Sequence, residues 1–152
     1  MNSKIPDLRL HVLRDEPPQL VADFVLYWMT ATRRLSWNYA LDRAVEWALE
    51  LDLPLVIFEP LRAGYRWASD RHHQSIIDGM ADNARRLATS SITYYPYVEP
   101  HPCDGQGLLS SLSRRAGCVI TDQSPVFFQS RLLEAGKRAV SCRLEAVDSV
   151  GL

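Results

Sequence analysis

Arg33 and Arg34 follow an apolar run, Phe24 to Met29. A guanidinium at the end of a strand can grip a phosphate or carboxylate with two parallel hydrogen bonds. The pair also reads as a charged, solvated turn. Asp122 closes a second apolar run, Cys118 to Thr121, just ahead of Ser124-Pro125. Its carboxylate can accept a hydrogen bond from a ring N–H or a ribose, or it can organise its own loop as an Asx turn. Glu59 follows a third apolar run, Leu55 to Phe58. Many nucleotide-binding sheets keep a carboxylate for a ribose hydroxyl at that place. The candidate binding set is therefore Trp28, Arg33, Arg34, Asn38, Glu59, Asp122 and Ser124.

Other constellations carry less. His72 and His73 are adjacent, and neighbours on a helix point about 100° apart, a poor geometry for sharing one metal ion. No Cys or carboxylate cluster at ligand spacing accompanies them, so no metal site is assigned. Gly105-Gln106-Gly107 can present amide N–H groups to an anion, or simply let a loop turn into a helix. It is neither a dinucleotide fingerprint nor a phosphate-binding loop with its Lys. The Ser, Cys and His residues show no spacing that identifies a nucleophilic triad, and no residue is assigned a catalytic role. Trp37 and Trp47 fit helix packing positions, a core or interface role.

The elements that must position these residues form an alternating pattern. Strand one is Phe24 to Met29, and helix one runs from about Trp37 to Leu51 with Ser36 as N-cap. Its apolar face is Trp37, Ala40, Leu41, Ala44, Ala48 and Leu51. Strand two, Leu55 to Phe58, precedes a helix that starts after Ser69 and buries Ile76, Ile77, Met80, Ala84 and Leu87. Strand three, Thr93 to Val98, contains Pro96, which cannot donate to a ladder and marks an edge. Helix three carries Leu108, Leu109, Leu112 and Ala116, with Gly117 as its C′ residue. Strand four is Cys118 to Thr121. Helix four opens with Ser124 and Pro125 and ends at Gly136. Strand five, Ala139 to Leu144, alternates polar and apolar residues as a second edge does.

Strands one, two and four are almost wholly apolar, as central parallel strands are. Right-handed crossovers then give an α/β, Rossmann-like three-layer sandwich with a five-stranded parallel sheet in the order 3-2-1-4-5. The switch in direction falls between strands one and four, and open sheets of this kind bind ligands there. The segment from Ile5 to Leu20 is an extended N-terminal arm, either an edge strand or a strap on the surface. The expected division is an arm over 1–22, the α/β domain over 23–147, and the start of a linker over 148–152.

Composition sets outer limits. The 152 residues suit one domain, with 47% hydrophobic and 23% charged residues and a net charge of −1. That balance lacks the basic excess with which a domain neutralises DNA phosphates by itself. Three cysteines, Cys103, Cys118 and Cys142, form no C-x-x-C pair and suit a reducing, cytoplasmic setting. The longest apolar runs are strand-sized, with no membrane span or signal-peptide pattern.

Four stretches then carry a family likeness: VLYWM at Val25 to Met29, RWASDRHH at Arg66 to His73, TDQSPVFF at Thr121 to Phe128, and RLEAVDSVGL at Arg143 to Leu152. Together they resemble the N-terminal domain of DNA photolyases (deoxyribodipyrimidine photolyases) of the photolyase/cryptochrome family, most closely the class II branch. The resemblance implies an α/β domain that holds an antenna chromophore, often a deazaflavin or a folate. In the family, the antenna passes excitation energy to FAD in a helical C-terminal domain, where reduced flavin splits cyclobutane pyrimidine dimers in DNA. The 152 residues are expected to correspond to the antenna part alone, without the helical flavin domain. It is expected to be silent alone and to meet damaged DNA only through a full-length parent. Two other readings stand beside it: a stand-alone nucleotide-binding or sensor domain, and an interaction module without ligand.

Overall fold

The computed structural model describes residues 3–65, 68–124 and 127–150, without the side chains of 127–129. A six-stranded sheet runs through it. The strands are β1 (Leu10–Arg14), β2 (Phe24–Trp28), β3 (Leu55–Leu61), β4 (Thr93–Val98), β5 (Ala116–Gln123) and β6 (Arg143–Asp148), ordered β1-β6-β5-β2-β3-β4. The helices are α1 (Tyr39–Leu51), α2 (Asp70–Leu87), α3 (Leu108–Ser113) and α4 (Phe127–Ala139).

From β4 to β6 all pairings are parallel, and this run is the expected 3-2-1-4-5 order. The sheet has one strand more than the five expected. The N-terminal arm supplies it: β1 pairs antiparallel with β6, placing Leu10 opposite Val147 and Val12 opposite Glu145. The last strand is thus not an edge. It also runs Arg143–Asp148 and not over the expected Ala139 to Leu144, because α4 continues to Ala139, and its polar residues Arg143 and Glu145 meet under α1. Glu145 is 1% exposed and accepts hydrogen bonds from Arg43 Nε at 2.7 Å, Trp47 Nε1 at 3.0 Å and Arg143 Nε at 2.7 Å.

Residues alternate between two apolar layers. Val25, Tyr27, Met29, Ile57 and Ile120 face Ala40, Leu41, Ala44 and Trp47 of α1. Leu26, Trp28, Phe58, Val119 and Leu144 face the other way, toward Leu109 and Leu112 of α3 and Leu132 of α4. All five residues of β2 are buried, which is what a central strand covered on both faces requires.

Several boundaries differ from expectation for local reasons. Helix α1 starts at Tyr39, capped by Asn38, whose Oδ1 accepts from Leu41 N at 3.0 Å. Asn38 Nδ2 donates to the carbonyls of Thr32 and Arg34, so the turn locks onto Asn38 and leaves Ser36 outside. Trp37, expected on the helix face, is 89% exposed with φ 52°. That left-handed conformation costs a bulky residue about 1–2 kcal/mol. In α2 the buried residues are Met80 and Asn83, while Ile77 and Ala84 are exposed. Ala116 and Gly117 belong to β5, not to the end of α3. A Cβ on Gly117 would come within 3.0 Å of Leu51 Cδ1, so close packing, not helix termination, explains that glycine. Likewise α4 runs through Gly136 to Ala139. The expected Pro125 start of that helix lies outside the described residues. No helix among the described residues is long and apolar enough to cross a membrane.

Candidate functional site

A cavity of about 720 Å³ opens at the carboxyl ends of β2, β3 and β4, within the size range of small-molecule sites. Its floor is Trp28 and Phe58 on the sheet. One wall is Leu132, Ala135 and Gly136 of α4, and another is Ile76 of α2 with Leu109 of α3. Helix α4 can press on the indole because residue 136 has no side chain. A Cβ there would meet Trp28 Cζ3 at 2.5 Å.

Two loops close over the cavity, after β3 and after β4, and one carboxylate ties them. Glu99, 6% exposed, accepts from Ala63 N at 2.8 Å and Gly105 N at 3.2 Å. The Gly105 amide, one of those that could meet an anion or simply serve a turn, is therefore engaged by the chain itself. Tyr97, Cys103 and His72 also line the space. His73 packs against the ring of Tyr65, with centroids 5.5 Å apart.

Of the seven residues singled out from sequence, Trp28, Arg33 and Ser124 line the cavity. Arg33 does so with its charge already answered. Its Nη1 donates to Glu59 Oε1 at 3.0 Å and its Nη2 to the Pro60 carbonyl at 2.8 Å. Glu59 lies beneath, 1% exposed, and also accepts from Tyr94 Oη at 2.6 Å and Asn83 Nδ2 at 3.2 Å. Burial first, and then the Glu59 carboxylate, push the Tyr94 phenol well above its ordinary range. Arg34 folds back onto the carbonyls of Ser36 and Trp37.

Asp122 and Asn38 form a buried network behind the cavity. Asp122 is fully buried, and its Oδ2 accepts from three successive amides, Thr30 N at 2.7 Å, Ala31 N at 2.8 Å and Thr32 N at 3.2 Å. Its Oδ1 accepts from Tyr27 Oη at 2.8 Å, and Asn38 Nδ2 donates to the same phenol oxygen at 3.0 Å. Burial and then Asp122 raise the Tyr27 phenol far above its usual value, so it stays a donor. The carboxylate thus organises a loop, though the one after β2 and not its own.

Sequence reasoning did not find Arg62, Tyr97 or the α4 wall. Arg62 is exposed at the cavity and makes no hydrogen bond or ion pair among the described residues. A signal for the wall existed in Ala135-Gly136, two small residues inside a helix, where glycine is otherwise unfavourable.

No protein-family model matches the chain. It is similar to a deoxyribodipyrimidine photo-lyase of Methanothermobacter thermautotrophicus, 28% identical over 141 residues that cover 93% of this chain and 31% of that protein. The chain therefore spans about a third of the length of this curated relative. Among solved structures, a universal stress protein from Archaeoglobus fulgidus aligns with TM-score 0.54 at 10% identity, over 82% of this chain and 98% of that one. A universal stress protein in complex with cAMP aligns with TM-score 0.48 at 18% identity, over 85% and 100%. What the chain shares with the Archaeoglobus protein is the fold, a Rossmann-like α/β domain with a mostly parallel sheet, and what it shares with the photolyase is sequence.

Proposed function

We propose that this chain is a chromophore-binding antenna domain of the photolyase type. It holds a planar aromatic chromophore, a deazaflavin or a folate, in the cavity at the carboxyl ends of β2 to β4. A flavin carried by a further, helical domain receives the excitation energy, and repair of pyrimidine dimers in DNA is the activity of the larger protein. The observation that carries this reading is the cavity's character. A ring-sized space bounded by Trp28, Phe58 and Tyr97 has an unpaired guanidinium, Arg62, beside it among the described residues. Aromatic walls favour a flat conjugated ligand through offset or edge contacts. The likeness to a photolyase over nearly the whole chain supports the same reading.

Titration of the purified domain with a deazaflavin or a folate tests it, read by chromophore fluorescence and absorbance. Binding in the micromolar range is expected. Ala135→Trp fills the wall from an exposed helix position and abolishes it. Arg62→Ala weakens it by about tenfold, the value of one charge-assisted contact at a wet rim. If neither chromophore binds, or if Ala135→Trp binds as well as wild type, the antenna reading fails.

A further inference from the structure

We propose that Asp122 is a resident anion that bars phosphate from this crevice, so that the site selects its ligand by ring and not by phosphate. The proposal deepens the antenna reading and rests on the same cavity. In sheets of this type, the turn after the strand at the switch point offers its amides to a phosphate. Successive amide N–H groups that converge on one point make a concave anion seat. Here the amides of Thr30, Ala31 and Thr32 converge in that way, and the point of convergence is occupied by Asp122 Oδ2.

The occupant is held on both sides. Asp122 extends from β5 in register with Val147, is fully buried, and has its second oxygen fixed by Tyr27. Tyr27 is itself held by Asn38, the cap of α1. A phosphate approaching from the cavity, which Thr30 and Ala31 line, meets amides already satisfied and a buried like charge behind them. Glu59, the other acidic residue at a strand end, is likewise consumed by Arg33, Asn83 and Tyr94. The ligand class that remains is a conjugated ring, uncharged at the end near the β2 loop, with any anionic substituent directed to Arg62. A nucleotide seated by its phosphate after β2 is excluded.

The test uses inorganic phosphate at constant ionic strength and no chromophore, so its result is independent of whether a deazaflavin or folate binds. Thermal melting and the amide resonances of Thr30, Ala31 and Thr32 are followed in wild type, Asp122→Ala and Asp122→Asn. Wild type is expected to show no saturable change in either. Asp122→Ala, with its seat vacated, melts lower and regains about 4 °C as millimolar phosphate saturates it, with the three amides shifting together. Refolding of that variant in phosphate but not in chloride counts the same way. Asp122→Asn, which keeps the seat filled without the charge, is expected to answer phosphate more weakly than the Ala variant. If the Ala variant does not fold in either salt, Asp122→Ser, whose shorter side chain also vacates the seat, decides: a phosphate response supports the proposal, and none overturns it. Saturable shifts of the same amides in wild type, or a folded Ala variant indifferent to phosphate, also overturn it.

Discussion

Two glycines inside helices, Gly79 in α2 and Gly136 in α4, should respond to the same substitution with opposite signs. In an open helix interior, Gly→Ala gains about 1 kcal/mol of helix propensity. Gly79 is that case, since an added Cβ meets no atom within 4 Å. Gly79→Ala should therefore raise the melting temperature by about 2–4 °C for a domain of this size. At Gly136 the same gain competes with a collision. The new Cβ lies 2.5 Å from Trp28 Cζ3 and 3.0 Å from Cη2, atoms of a rigid ring that is 4% exposed. Overpacking of this kind costs about 1–3 kcal/mol, so the clash outweighs the propensity. The two variants should separate by about 2 kcal/mol, or about 6 °C, with Gly136→Ala below wild type. Calorimetric melts of the three proteins decide it, and near-ultraviolet circular dichroism reports the indole. On the antenna reading proposed above, chromophore affinity should fall in Gly136→Ala alone, because a displaced Trp28 intrudes on the cavity floor. An equal rise in melting temperature for both variants would refute the contact between α4 and Trp28, and with it the shape of the cavity.

The buried carboxylate under α1 supplies a pH-dependent prediction. Burial raises the Glu145 pKa, but hydrogen bonds from Arg43, Trp47 and Arg143 outweigh it and leave the group below its ordinary range. Its stabilisation is then present above the unfolded carboxyl value of about 4.3 and is lost as pH falls through the lower folded value. Glu145→Gln should melt about 6 °C below wild type at neutral pH, a loss of about 2 kcal/mol, and the two should converge in acid. The loss is below the roughly 3–5 kcal/mol of a broken buried pair because Arg43 keeps Glu46 at 3.0 Å and Arg143 keeps Asp15 at 2.8 Å. Undiminished separation of the two melts well below pH 4 would contradict the sign. For the cysteines, a thiol reagent at mildly alkaline pH should label Cys103 rapidly in the folded protein and all three only after unfolding. Burial pushes Cys142 up to about 11 and Cys118 higher still, so neither forms thiolate there. Mass spectrometry of the labelled peptides checks the order.

The sheet order was legible because its information is local. Three almost wholly apolar runs identify the centre, Pro96 identifies one edge, and handedness settles the rest. The sixth strand was half legible: Ile5 to Leu20 reads as an extended arm, edge strand or strap, but its partner β6 does not show in the sequence. Glycine is a poor guide to helix ends in this chain. Gly117 and Gly136 are glycine because Leu51 and Trp28 lie against them, and such contacts leave no trace in the neighbouring sequence. Trp37 is a poor guide in the opposite way, since its helical spacing is real but the cap one residue later excludes it.

The site was less legible because its acidic residues owe their roles to distant partners. Asp122 meets the Thr30 amide across 92 positions of chain, and Glu145 meets Arg43 across 102. At a strand end, a carboxylate waiting for a ribose and one already holding a loop look alike in sequence. The partners distinguish them, because a buried charge persists only where it is paired or hydrogen-bonded. Glu59, Asp122 and Glu145 all satisfy that condition internally. Glu99, which joins the loops over the cavity, does as well. These four carboxylates are thus committed to the protein and are not offered to a ligand. Specificity then falls to the shape of an aromatic space held open by a missing side chain at residue 136, and to Arg62 beside it. On the antenna reading proposed above, that division of labour suits the holding of a pigment in a fixed orientation.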